Sequence, residues 1–156
     1  MRGATEPMLS ERRVAAPDGA LNVASGPENG PPLLFLHGVG RLWQDFLPLV
    51  PRFACRWQIF AVDFRGHGQS DFAPGKYLVT DYVRDALFVA REVIGKPLVV
   101  YGHSLGRIAD CTHVRVAGGG HLVHSLRTET TLRLVGDFLE SIALDPGSQP
   151  GAPRPK

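Results

Sequence analysis

A short glycine-flanked serine segment, placed directly after an apolar run, constrains this chain more than any other feature. Residues 102–106 read Gly-His-Ser-Leu-Gly, and the apolar run before them begins at Pro97. A G-x-S-x-G pattern after a strand predicts a sharp strand–turn–helix, because a side chain at either glycine would collide with neighbouring backbone. Such a turn pushes the hydroxyl of the central serine out at the top of a sheet. The sequence therefore predicts a strand-to-helix turn centred on Ser104.

Apolar runs and turn signals predict an α/β fold with a mostly parallel, doubly wound sheet. An Asp18-Gly19 turn between two short apolar runs indicates a β-hairpin over residues 12–24. Continuous apolar runs are typical of strands buried on both faces of a parallel sheet. Such runs cover residues 33–36, 58–62 and 97–101. A further strand is predicted at residues 113–117.

Helical spacing and breaker residues predict helices between these strands. Residues 43–53 are predicted to be helical, with an interruption at Pro48. Thr80 is predicted to cap an amphipathic helix that ends at Gly95. Asp85 is interpreted as part of the solvated face of that helix. The helices of this chain should therefore cover the sheet with short connections.

The same pattern predicts one domain with loose ends. Residues 1–10 look like a loose leader, residues 11–143 form the predicted α/β domain, and the Pro/Gly-rich residues 144–156 are expected to be disordered. Within the domain, a short helix is predicted over residues 104–110. The last helix is expected to begin near Thr128.

Charge and cysteine content exclude several classes of function. The chain has 17 Lys and Arg against 15 Asp and Glu, with the arginines scattered, so no nucleic-acid partner is expected. No apolar stretch is long enough to span a bilayer, and the first residues lack a signal-peptide pattern. Cys55 and Cys111 lie far apart, and no carboxylate or cysteine completes a metal-ligand set with His113, His121 and His124. A disulfide between the two cysteines stays open as an alternative, and the favoured expectation is a cytoplasmic protein with two reduced thiols and no metal.

Three further motifs accompany the serine segment. His-Gly-Val-Gly at residues 37–40 follows an earlier strand, Gly-His at 120–121 follows a later one, and residues 63–71 form a loop of the pattern D-x-R-G-x-G-x-S. Together these motifs resemble the α/β-hydrolase superfamily of esterases, lipases and C–C-bond hydrolases, with no cap domain here. His37 and His103 flank motif positions and are interpreted as hydrogen-bonded supports.

The resemblance implies a role for each site residue. Ser104 would be the nucleophile and His121 the general base. The backbone N–H groups of Val39 and Leu105 would form the oxyanion hole. The loop at residues 63–71 would be structural. No metal or organic cofactor is implied.

The interval between nucleophile and histidine departs from the family pattern. His121 follows Ser104 by only 17 positions, where the family has further strands, a cap and the triad acid. Asp110 is the one acid between them. A helix from Ser104 to Asp110 would descend about 9–10 Å and the next strand would climb back about 16 Å, which leaves Asp110 far from His121. Asp63 and Asp71 lie nearer the catalytic edge without a family role, so the acid stays unassigned.

The sequence therefore predicts a serine hydrolase that acts on small esters, with weak activity. Two alternatives stay open: a non-catalytic remnant of an α/β-hydrolase that binds a ligand or a partner chain, and a chain that does not fold stably alone. A shortened sheet would also leave an apolar edge strand, which favours self-association.

Overall fold

The computed structural model describes residues 9–104 and 127–143. The chain divides into two compact units, Met1–His113 and Val114–Lys156. Most of the predicted leader, the predicted tail, the helix expected at 104–110 and the strand expected at 113–117 lie outside the described residues. The described part of the first unit holds the sheet, and that of the second unit holds one helix.

The sheet in the described chain has five strands in the order β1-β2-β4-β3-β5. The pairings β1–β2 and β2–β4 are antiparallel, whereas β4–β3 and β3–β5 are parallel. The predicted α/β class is therefore confirmed, with a mixed sheet whose parallel part is the β4-β3-β5 centre. The strand bounds are Ser10–Ala16 (β1), Gly19–Ser25 (β2), Pro32–Leu36 (β3), Gln58–Asp63 (β4) and Val99–Gly102 (β5).

The predicted hairpin is present and closes through a two-residue turn. Ala16 pairs with Gly19, which leaves Pro17 and Asp18 as the loop. Gly19 has a φ of +129°, a value open to glycine and rarely to other residues. The Asp-Gly signal therefore located the turn correctly.

The two central parallel strands form the apolar middle of the first unit. Every residue of β3 and β4 is buried, as expected for continuous apolar runs covered on both faces. On one face, the ring of Phe35 packs 5.0 Å from Phe46 and 5.5 Å from Tyr101, measured between ring centroids. This packing fixes β5 against β3 immediately before the Ser104 turn.

The segment after the residues 37–40 loop forms two short helices. A 3-10 turn covers Trp43–Phe46, and α1 covers Val50–Phe53. Pro48 lies between them, so the interruption predicted there is confirmed. Proline has no N–H to donate to a preceding turn and clashes with it.

The next helix, α2, begins at Val79 and runs to Phe88, and a π-helical segment continues it to Ile94. Gly95 ends it at a φ of +64°, as predicted. The cap predicted at Thr80 is wrong, because the cap position is Leu78. There the side chain of Asp81 accepts a hydrogen bond from the Leu78 N–H at 2.9 Å. The helix start is therefore stabilised by a carboxylate at the third helical position, which reaches back to the N–H of the cap residue.

The solvated face assigned to α2 is also wrong at one position. Asp85 is 3% exposed and lies on the same face as the buried residues Tyr82 and Ala86. Its partner is a guanidinium from another element, which helical periodicity does not reveal. The helix described in the second unit, α3, covers Thr128–Ala143 and begins where the sequence predicted.

Candidate active site

Ser104 has an unusual backbone conformation directly beyond β5. Its φ is +54°, and among the non-glycine residues that the structure describes no other has a positive φ. The His103 N–H donates to the Leu36 carbonyl at 2.9 Å, so pairing with β3 continues to the residue before the turn. A left-handed serine costs on the order of 1–3 kcal/mol, which its surroundings must offset. The strand-to-turn half of the predicted geometry is present, and the helix expected after it lies outside the described residues.

The loop at residues 37–40, which follows β3, lies directly against this turn. A methyl group placed on Gly38 would lie 3.0 Å from Ser104 Cβ and 3.1 Å from His103 Nδ1. Both distances are shorter than ordinary van der Waals contact between such atoms. Glycine at residue 38 therefore permits the backbone of this loop to approach Ser104.

The peptide unit between Gly38 and Val39 is held in one orientation. The Gly38 carbonyl accepts from the Arg41 N–H at 3.2 Å, and His37 Nδ1 lies 2.7 Å from the same oxygen. In a trans peptide the carbonyl and the following N–H point in opposite directions. The Val39 N–H therefore points away from these two partners, and no described residue accepts a hydrogen bond from it. The Val39 side chain is 64% exposed, so this part of the loop is open.

The other end of this loop is held by a histidine that the sequence analysis assigned no role. The Gly40 N–H donates to His67 Nε2 at 2.9 Å, and His67 Nδ1 lies 3.0 Å from the Arg65 carbonyl oxygen. A ring that accepts at Nε2 and donates to a carbonyl from Nδ1 is neutral, with its proton on Nδ1. His67 therefore joins the loop at residues 63–71 to the loop at residues 37–40.

His37 is a structural support, as the sequence predicted. The Phe64 N–H donates to His37 Nε2 at 3.0 Å, so the ends of β3 and β4 are joined through the ring. The side chain is fully buried, and burial lowers the pKa of His37 below its usual value. Asp63 Oδ1 lies 4.0 Å from His37 Nε2. Because that nitrogen already accepts from Phe64, the contact is not an ion pair.

Asp63 accepts hydrogen bonds from three different segments. Oδ1 accepts from the Trp43 N–H at 2.9 Å, and Oδ2 accepts from Asn22 Nδ2 at 2.9 Å and from the Gln69 N–H at 3.3 Å. A methyl group on Gly68 would lie 2.2 Å from Asp63 Oδ2. This fully buried carboxylate is therefore enclosed by its own donors, which makes it unsuitable as a triad acid.

Asp71 has a structural role as well. Its Oδ2 accepts from the Ala20 N–H at 2.8 Å, and its Oδ1 forms an ion pair with Arg13. Both oxygens thus bind the N-terminal hairpin. Asp110 lies outside the described residues.

A buried guanidinium anchors the loop at residues 63–71 to α2. Arg65 Nε and one terminal nitrogen donate to Asp85 at 2.8 and 2.6 Å, and its other terminal nitrogen reaches Asp18 at 3.2 Å. Arg65 and Asp85 are 4% and 3% exposed. This two-point pair raises the pKa of Arg65. Arg65 belongs to the D-x-R-G pattern and Asp85 to the predicted helix, but neither pattern indicates that the two side chains pair.

Of the predicted site residues, the structure describes Ser104 and Val39, while Leu105 and His121 lie outside its described ranges. The loops that carry Ser104 and Val39 are in contact through Gly38. Within residues 9–104 and 127–143, no group of three or more His, Cys, Asp or Glu could hold a metal ion. No helix in these ranges is long and apolar enough to cross a membrane.

Comparison with protein families agrees with this geometry. Residues 31–106 match the model of the alpha/beta hydrolase fold. This segment begins just before β3 and ends two residues after Ser104. The chain therefore carries the α/β-hydrolase fold, and the superfamily resemblance seen in the sequence is confirmed.

Curated relatives also match part of this chain. A 2-(acetamidomethylene)succinate hydrolase of Mesorhizobium japonicum is 38% identical over 78 residues, which is 50% of this chain and 28% of the relative. A serine hydrolase-like protein of Danio rerio is 38% identical over 104 residues, which is 62% of this chain and 31% of the relative. The chain thus spans about a third of the length of these relatives.

Solved structures show the same fold. The crystal structure of an E-2-(acetamidomethylene)succinate hydrolase matches with a TM-score of 0.58 and 35% identity, over 62% of this chain and 36% of that one. An epoxide hydrolase of Vigna radiata matches with a TM-score of 0.60 and 25% identity, over 67% of this chain and 33% of that one. Proteins named for different activities thus share this fold.

Proposed function

We propose that this chain carries the site of a serine-dependent hydrolase that acts on small esters, with Ser104 as the nucleophile. The observation that carries the proposal is the left-handed backbone of Ser104, with φ +54°, directly after a strand of a parallel sheet. A serine in such a turn presents its hydroxyl at the sheet end, where a carbonyl carbon can reach it. The names of the relatives, which include hydrolases and a serine hydrolase-like protein, support hydrolysis as the reaction class.

The proposed chemistry is acyl transfer to water. The Ser104 oxygen attacks the ester carbonyl carbon while His121 takes the hydroxyl proton. The developing oxyanion is bound by the N–H groups of Val39 and Leu105. The tetrahedral intermediate expels the alcohol, which receives the proton from His121, and water then hydrolyses the acyl-enzyme. The roles of His121 and Leu105 rest on their sequence motifs.

The described geometry supports the Val39 part of this scheme. The Gly38 carbonyl is turned toward Arg41 and His37, so the Val39 N–H points the opposite way. The loop is pressed against Ser104 at Gly38. A donor fixed before the reaction stabilises the oxyanion without reorganisation. The exposure of Val39 and Ser104 favours an open site, which suits small activated esters.

Turnover is expected to be weak because no triad acid is assigned. Asp63 and Asp71 use their carboxylate oxygens in structural contacts. Loss of the acid in a serine triad lowers turnover by about 10⁴-fold, and the oxyanion hole and binding still leave about 10³-fold over water.

Labelling of Ser104 by a fluorophosphonate probe tests the proposal. Peptide mass spectrometry should place the adduct on Ser104, and the Ser104→Ala variant should not react. Hydrolysis of p-nitrophenyl acetate should be abolished in Ser104→Ala and strongly reduced in His121→Ala. Asp110→Asn should change the rate by less than about threefold, because its expected position is too far from His121. Adducts on other serines alone, or none on a chain that circular dichroism shows to be folded, would refute the proposal.

A non-catalytic role is the second candidate. The structural engagement of Asp63 and Asp71 favours it, because neither is available to orient a histidine. In that case the same framework would bind a ligand or a partner chain without turnover. A folded protein that the probe does not label would support this second candidate.

A further inference from the structure

We infer that His67 is a positioning residue for the proposed oxyanion loop: its neutral ring, with the proton on Nδ1, holds Gly40 and thereby fixes the Val39 peptide. This inference rests on the proposed function, because the loop matters for reaction only if Ser104 forms an oxyanion there. The observation that carries it is the pair of contacts made by the two ring nitrogens of His67.

The first contact restrains the loop directly. His67 Nε2 accepts the Gly40 N–H at 2.9 Å. Gly40 has a φ of +70°, and no atom of the described residues lies within 4 Å of a methyl group placed there. Within residues 9–104 and 127–143, no side chain packs against this position. The hydrogen bond to His67 restrains Gly40. Val39 therefore lies between two restrained residues, Gly38 and Gly40.

The second contact fixes the tautomer of the ring. His67 Nδ1 lies 3.0 Å from the Arg65 carbonyl, which can only accept a hydrogen bond. Nδ1 therefore carries the proton, and Nε2 keeps the lone pair that Gly40 needs. Arg65 itself is held by its two-point pair with Asp85. Gly40 is thus connected, through His67 and Arg65, to the buried ion pair that Arg65 forms with Asp85 of α2.

Neighbouring rings also limit the freedom of the imidazole. The His67 ring packs 5.1 Å from His37 and 6.1 Å from Tyr82, measured between centroids. His37 is fixed by Phe64 and Tyr82 lies in the core. The ring of His67 is therefore placed by packing as well as by its hydrogen bonds, as a positioning residue requires.

Two substitutions of His67 test the roles of its two ring nitrogens separately. His67→Gln places a carbonyl oxygen near the position of Nε2, so it can still accept from Gly40. His67→Asn keeps an N–H near the position of Nδ1 but is too short to reach Gly40. If the contact with Gly40 matters, His67→Asn should lower the rate of Ser104 phosphonylation about tenfold to a hundredfold, as expected for a misplaced oxyanion donor. His67→Gln should recover most of that rate.

Nuclear magnetic resonance of the full chain supplies a readout that does not depend on reactivity. A long-range ¹H–¹⁵N spectrum near neutral pH should show the neutral Nδ1–H tautomer of His67. The Gly40 amide should exchange slowly in the unaltered chain and in His67→Gln, and faster in His67→Asn. Reduced kcat with little change in KM for p-nitrophenyl acetate should accompany the faster exchange, since the donor acts on the transition state.

The possible outcomes separate the two claims. An Nε2–H tautomer, or equal Gly40 exchange in all three proteins, would overturn the inference. Faster exchange in His67→Asn with an unchanged phosphonylation rate would also overturn it, because the contact would then be purely structural. If the Gly40 amide exchanges slowly as expected but Ser104 never reacts with the probe, the proposed function is refuted, and the positioning role of His67 is refuted with it.

Discussion

Gly38 and Ser104 approach so closely that a methyl group on Gly38 would lie 3.0 Å from the Cβ atom of Ser104. The two residues are far apart in sequence and follow neighbouring parallel strands, β3 and β5. Parallel pairing brings the carboxyl ends of these strands to one edge, where ligand sites of open α/β sheets lie. The contact is therefore the point at which two separate motifs form one candidate site.

Gly38→Ala should lower the reactivity of Ser104 more than it lowers stability. The added methyl group must displace the loop or the serine by a few tenths of an ångström. We expect at least a tenfold slower phosphonylation and a fall of no more than about 2 kcal/mol in the free energy of unfolding. Probe labelling and urea titration measure the two effects. Gly136→Ala on α3 is the control, because no atom in the described part of the chain lies within 4 Å of its added methyl group. Equal reactivity of both variants would show that the contact does not constrain Ser104.

Asp85→Asn should destabilise the first unit strongly. The substitution leaves the Arg65 guanidinium buried without its main counter-charge, which typically costs about 3 kcal/mol or more. Urea unfolding measures the loss. Asp137→Asn is the matched control, since it breaks an exposed pair with Arg133 on α3 and should cost less than about 0.5 kcal/mol. Similar losses in the two variants would contradict the importance of the buried pair.

Stability should fall on the acid side because of His37. Burial lowers the pKa of His37 below 6.5, so below about pH 6.5 the unfolded chain binds a proton that the native ring does not. The free energy of unfolding should therefore fall as the pH decreases from 6.5 toward the native pKa of His37. His37→Gln, which can still accept from Phe64 but does not titrate, should lose this component. Parallel urea titrations at several pH values measure it. Identical pH profiles for the two proteins would rule out His37 as the cause.

Stability should also fall on the alkaline side because of Tyr101. Burial raises the pKa of Tyr101 to about 12 from 10.0. Between pH 10 and 12 the phenol of Tyr101 ionises in the unfolded chain but stays protonated in the native one. The free energy of unfolding should therefore be unaffected by Tyr101 below pH 10 and should fall as the pH rises toward 12. The full effect is roughly 3 kcal/mol, at 1.36 kcal/mol per unit of pKa. Tyr101→Phe keeps the ring against Phe35 and should remove this loss, as denaturant titrations between pH 9 and 11 would show.

We further propose that the chain self-associates through a sheet edge. Among the described strands, β5 is the last in the sheet order and carries Val100, which is 38% exposed. The strand predicted beside it, at residues 113–117, lies outside the described residues, and its own edge would remain apolar. An edge strand with exposed apolar side chains tends to pair with another copy. Light scattering over a concentration series should show dimers or larger species, and Val100→Lys should shift them toward monomer. A monomer at every concentration would contradict the proposal.

Local sequence patterns were sufficient to predict several strands, turns and helix ends of this protein. Continuous apolar runs located β3 and β4, Asp-Gly located the hairpin turn, and Gly95 ended α2 as predicted. The glycine-flanked serine also identified the turn at Ser104. These features depend on hydrophobic periodicity and on backbone conformations that few residues adopt. Each is therefore encoded within a few neighbouring residues.

The side chains that connect the motifs became apparent only when the strands were assembled into the sheet. Helical periodicity assigned Asp85 to the solvated face of α2. In the structure its side chain is buried and forms an ion pair with Arg65 from the loop at residues 63–71. No sequence pattern indicated a role for His67, although its ring binds Gly40, which lies 27 positions away in the chain. A charged or polar residue is buried when a partner from another element satisfies it. That partner is set by how the strands order themselves in the sheet, so no local pattern could reveal it.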